Sequence, residues 1–258
     1  MVIFMRGFLA FTKKEFLEQL RTYKWLIFLA VFFLFGLMSP LLAKLTPDIL
    51  SSMDMGGIQL NLPEPTVMDA YSQYFKNMTQ MGVVVVLLVF GSILSNELIK
   101  GTLVNILAKG MSRTAVLLSK YTAAVILWSA GFLLSAATNY GYTVYLFKNA
   151  SVPNLMFSMF CLWLFGCFII ALILLSSVAA AGSFGGLILS AVTLIILLMV
   201  NIFPKAEKFN PVTLVSKNTA LLNGTNKAGD LYLTVAMTTT LIAVCIITAV
   251  LLFKKKQI

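Results

Sequence analysis

Histidine is absent from this 258-residue chain. A His-based zinc site, proton shuttle or catalytic triad is therefore impossible. Cys161, Cys167 and Cys245 each sit in an apolar run, and an odd number of buried thiols makes no disulfide framework. They read as small core hydrophobes. No Gly-x4-Gly-Lys-Ser/Thr loop occurs, so the chain has no phosphate cradle of its own. Neither paired carboxylates within an apolar run nor a cluster with metal-ligand spacing is present. Glu97 and Lys120 lie near the ends of apolar runs, where they would reach water. Within the runs the polar residues are Ser, Thr and Asn. Ser135 and Asn139, in Ser-Ala-Ala-Thr-Asn-Tyr, are the candidates for a translocation path. The alternative is that they are interhelical glue.

The composition decides what positions these residues. The chain is 60% hydrophobic and 11% charged, against about 25% charged residues in an ordinary soluble domain. A soluble enzyme is excluded by the missing polar surface, and a disordered chain by the high hydrophobicity. An all-α integral membrane protein remains, with residues 1–258 forming one transmembrane domain. About 20 apolar residues are needed to cross a bilayer as a helix. Spans are predicted at about 24–44, 77–97, 115–147, 155–178, 186–203 and 231–253. The stretch 149–204 has no charge and would be about 84 Å long as one helix. It must turn, and the small residues and glycines of 179–186 are the place.

Six spans put both termini on one side. The formal charge is +10, with 19 Lys and Arg against 9 Asp and Glu. The bases favour the segments flanking the termini and the 97–113 connection, so the N- and C-termini are expected to be cytoplasmic. No nucleic-acid partner is expected. Glu15 and Glu18 interrupt the charge pattern of a secretory leader, and none is expected.

Outside the spans, residues 3–22 pattern as an amphipathic helix lying along the inner leaflet, with Glu15 and Gln19 intruding on its apolar face. Residues 96–113 pattern as a short helix between spans two and three. Gly110 suits its left-handed cap, and Ser112 suits the N-cap of span three. Residues 44–76 read as a long outer loop broken by Pro47, Pro63 and Pro65, turning helical from Thr66. Residues 204–230 read as a second outer segment.

The run Ser95-Asn96-Glu97-Leu98-Ile99-Lys100-Gly101-Thr102-Leu103, then Leu107-Ala108-Lys109-Gly110-Met111-Ser112-Arg113 and Lys120, resembles the pattern between spans two and three of ABC-2-type permeases, the membrane subunits of bacterial ATP-binding-cassette exporters. Gly110 stands where members often have Pro. Phe209-Asn210-Pro211 with Leu221-Leu222-Asn223-Gly224 is similar to that family's last outer segment. The resemblance implies a multi-pass plasma-membrane subunit that is not itself an enzyme. It implies that 96–113 is a coupling helix seated on a separate ATPase subunit, which holds ATP and Mg, with Glu97, Gly101, Thr102, Leu103 and Arg113 at the joint. It implies a second permease chain, identical or homologous, contact with membrane lipid, and export of an amphiphile such as a lipid, antimicrobial peptide or drug. The competing readings are a stand-alone channel and a membrane-embedded enzyme or assembly factor.

Overall fold

A computed structural model describes residues 2–52, 64–95, 97, 101, 103, 107–108, 110–148, 151–180, 182 and 184–256. The described residues are mostly helical, and no strand occurs among them. The helices are α1 (Val2–Arg21), α2 (Lys24–Ser52), α3 (Val67–Asn77), a π-helical turn (Met78–Gly82), α4 (Val83–Phe90), α5 (Arg113–Phe147), α6 (Leu155–Ala179), α7 (Gly185–Val200), the short α8 (Pro204–Glu207), α9 (Thr213–Ser216) and α10 (Asn218–Leu222), and α11 (Tyr232–Lys255). Among the described residues, four segments are long and apolar enough to cross a membrane: Lys24–Ile49, Arg113–Phe147, Leu155–Ala179 and Ala228–Lys255.

Several boundaries differ from those read in the sequence. The outer loop expected from residue 44 begins later, because α2 continues to Ser52 with Pro40 and Pro47 inside it. A proline removes one helical hydrogen bond. Here the residues before the two prolines, Ser39 and Thr46, turn their hydroxyls back onto the carbonyls of Phe35 and Leu42 at 2.7 and 2.6 Å. Such local adjustment is how apolar helices tolerate proline. Where a second span is expected at 77–97, the structure has a helical stretch that starts and ends earlier and is not among those four segments. Helix runs unbroken from Val67 through the π-turn to Phe90, and the chain turns at Gly91–Leu94. A capping box starts it: the Asp69 carboxylate accepts from the Thr66 N–H at 2.8 Å and the Thr66 hydroxyl at 2.7 Å. The turn expected at 179–186 lies between α6 and α7, with Gly182 at φ +85°. At 16 residues, α7 is shorter than the four segments long enough to cross a membrane.

α6 is the core element and α5, α7, α11 and α4 pack around it. Gly166 on α6 leaves the notch that the Trp128 indole of α5 fills; a Cβ there would overlap the ring. Trp128 Nε1 donates to the Trp163 carbonyl at 3.0 Å, and Trp163 Nε1 donates to Ser129 Oγ at 3.0 Å, stitching α5 to α6 twice. The third tryptophan, Trp25, lies elsewhere, edge-on to Phe16 at 4.9 Å between α1 and α2. The outer faces of α7 and α11 carry exposed Ile188, Val192, Ile195, Met199, Val244, Ile247 and Leu251. Surface this apolar suits lipid rather than water.

Candidate functional site: a charged joint and a polar seam on one helix

α5 carries two unlike polar features. The first is at its start. Lys120, 2% exposed, pairs with Glu15 of α1 at 3.0 Å and with Glu97 at 2.9 Å. Lys14 of α1 pairs with Glu15 at 3.0 Å, Glu18 at 2.6 Å and Glu97 at 3.1 Å. Two ammonium groups thus hold three carboxylates from α1 and the segment before α5. The Phe11 ring lies 5.1 Å from Lys14 Nζ and 5.8 Å from Lys120 Nζ, adding cation–π attraction. Ser119 Oγ donates to the Phe8 carbonyl at 3.0 Å, a further stitch from α5 to α1.

This arrangement overturns the expectation that Lys120 reaches water, whereas Glu97 remains partly exposed. The two residues that seemed to spoil the apolar face of α1, Glu15 and Gln19, are buried at 5% and 7% exposure. The face is amphipathic in the usual sense except where Lys120 must be met. Burial alone works against the Lys14 charge, but the Glu18 hydrogen bond and the nearby Glu15 and Glu97 carboxylates outweigh it and hold the ammonium above its ordinary value. Burial likewise opposes the Glu18 charge, and the Lys14 hydrogen bond overcomes it, leaving the carboxyl below its ordinary value. The carboxylate oxygens of Glu15, Glu18 and Glu97 lie within 4.8 Å of one another. Lys14 and Lys120 already compensate them, so the cluster reads as a joint rather than a cation site.

Leu103 is fully buried against Phe11, Val116, Leu117 and Phe253. Gly101 and Gly110 have φ of +67° and +87°, left-handed backbone that glycine alone adopts readily. Ser112 Oγ accepts from the Ala115 N–H at 3.2 Å, as its N-cap assignment requires. Thr102 lies outside the described residues. Arg113 turns inward to the last turn of α11. Its Nη1 donates to the carbonyls of Phe253 at 2.6 Å, Lys254 at 3.2 Å and Lys256 at 2.6 Å. A cation there satisfies carbonyls that a helix end leaves open and suits its dipole. Lys14, Glu15, Glu18 and Lys120 went unassigned in the sequence. The available signal was a base seven residues into α5 together with an acid on the apolar face of α1.

The second feature lies further along α5. Ser135, Asn139 and Thr143 recur every fourth residue and are fully buried. Gly36 of α2 lets the two backbones meet there; a Cβ would sit 2.6 Å from the Ser135 carbonyl oxygen. Ser135 Oγ makes a weak contact to Met78 Sδ at 3.7 Å. Among the described residues, both side-chain polar atoms of Asn139 and the Thr143 hydroxyl have no hydrogen-bond partner. The expected pair Ser135 and Asn139 therefore share one face.

Comparison of the chain with models of known protein families gives no match. Comparison with curated proteins gives none either.

Proposed function

We propose that the chain is the permease subunit of an ABC exporter, driven by a separate ATPase subunit and moving an amphiphile out across a bacterial plasma membrane. In this reading Val67–Phe90 and α7 complete six spans with the four long apolar helices. Both termini and the charged joint face the cytoplasm. Two permease chains, identical or homologous, enclose the pathway, and Ser135 and Asn139 belong to it.

One observation carries the proposal. Five charged side chains tie α1, the segment leading to α5, and α5 itself into a single joint at one end of the bundle. A force applied to the 97–113 segment is transmitted to α5 through Glu97 and Lys120 rather than lost in a slack loop. Such a joint serves a machine whose energy arrives from outside, and the chain has no nucleotide loop of its own. Glu97 then acts inside the joint, as the link between lever and span, while the exposed surface of the segment meets the ATPase.

The test is reconstitution with the ATPase encoded beside the chain. Glu97→Ala is expected to abolish substrate-stimulated ATP hydrolysis while the two subunits still co-purify. Transport by the purified chain without any ATPase would overturn the assignment.

A further inference from the structure

α1 meets the bundle with one face and leaves a second apolar face bare. The face that the sequence marks as apolar is taken up by α5. Phe11, Glu15 and Gln19 are buried, with Phe11 against Val116 and Leu117 and Glu15 on Lys120. The remainder of an ordinary surface helix is polar. Here Met5, Leu9, Leu17 and Leu20 are 41% to 61% exposed. At about 100° per residue, Met5, Leu9 and Leu20 fall within roughly 60° of one another, outside the arc of Phe11, Glu15 and Gln19, and Leu17 extends the stripe.

The charges around this stripe have one sign. Lys13, Arg21 and Lys24 are exposed, and among the described residues none of them makes an ion pair. The exposed acid of α1, Glu18, is held by Lys14 at 2.6 Å. The position of the stripe is also fixed. Only Thr22 and Tyr23 separate α1 from α2, and α2 is apolar enough to cross a membrane from Lys24 onward. A helix docked beside the first turn of a span lies where headgroups meet water. An apolar stripe edged by Lys and Arg is what an in-plane membrane helix presents to that layer. A second copy of the chain, meeting this face two-fold, would set the same cations against one another.

We propose that this second face of α1 docks on anionic phospholipid. Met5, Leu9, Leu17 and Leu20 enter the boundary between headgroups and acyl chains, and Lys13, Arg21 and Lys24 meet the phosphates. α1 then reads the charge of the leaflet on one side and holds the Lys120 joint on the other. The inference rests on α2 crossing the membrane and is independent of coupling to an ATPase.

The test uses the full chain in phosphatidylcholine bilayers, with a bimane on Leu17→Cys. The native cysteines are buried and leave the label to the new thiol. Nitroxide-bearing phosphatidylglycerol is expected to quench the bimane at least threefold more effectively than nitroxide-bearing phosphatidylcholine at the same mole fraction, since each base near an anionic surface favours contact several-fold. Lys13→Gln combined with Arg21→Gln should bring the two lipids to near equality. Lys227→Gln, an exposed cation of the 204–230 segment, should leave the preference unchanged. A bimane on Leu9→Cys should repeat the result and stands in should Leu17→Cys fail to fold; unfolding midpoints in detergent report folding. Absence of quenching by either lipid, equal quenching by both, or a preference that survives Lys13→Gln with Arg21→Gln would overturn the proposal. So would relief of the quenching when the ATPase encoded beside the chain is added, which would assign this face to a protein partner and leave the export reading standing.

Discussion

The two polar features of α5 are built on opposite terms. At Lys120 a buried charge meets two carboxylates, and a second lysine completes the set. Five turns further on, Asn139 is fully buried with both polar atoms unmatched. A buried charge is tolerable only when its partners are in place, and then removing one is severely destabilising. A buried amide without partners costs free energy as it stands. The joint is therefore held in one arrangement, whereas the seam gains from any rearrangement that brings water or a ligand to Asn139. One helix thus joins a rigid charged cluster to a polar seam with reason to open.

The contrast is most directly broken at the joint. Lys120→Met leaves Glu15 and Glu97 short of a counter-charge and should destabilise the folded chain by about 3–5 kcal/mol. Thermal or denaturant unfolding in detergent measures it, and a loss well under 1 kcal/mol would mean the joint is solvated. Asn139→Leu should act in the opposite direction. It removes the unmatched amide and should stabilise by about 1 kcal/mol, while transport in the reconstituted complex falls. Arg113→Gln should cost about 1 kcal/mol by uncapping α11, with faster amide exchange confined to residues near Phe253. The smallest effect is that of pH on α1 docking. Glu18 has its carboxyl held below the ordinary 4.5, so its contribution is present above that value and lost as pH falls through the lower folded value. Lys14 is held above 10.5, so its contribution is full below that pH and lost only as pH rises through the higher folded value. Docking of α1 should thus be flat across neutral pH and weaken at both extremes.

What the sequence made legible was set by local rules. The charge-free stretch had to turn, and glycines mark where. Gly110 and Ser112 carry their cap roles in their residue types. The extension of α2 past Pro47 and the π-turn at Met78–Gly82 were not legible, because both depend on neighbouring helices and side-chain hydroxyls that override a residue's usual preference. The joint was half visible. Glu15, Glu97 and Lys120 are each conspicuous, but they are separated by 105 and 23 positions, and no local pattern pairs them. The shared face of Ser135 and Asn139 follows from helical spacing; that Asn139 goes unmatched depends on Gly36 bringing α2 so close.

The tryptophans have a practical consequence. Of the three, Trp128 and Trp163 are locked into the α5–α6 core, while Trp25 rests on Phe16 at the hinge between α1 and α2. The chain thus carries its own optical gauge. With the two core indoles replaced by phenylalanine, the emission that remains comes from the α1–α2 junction alone, and it would report on any movement of α1 in the proposed complex without an attached dye.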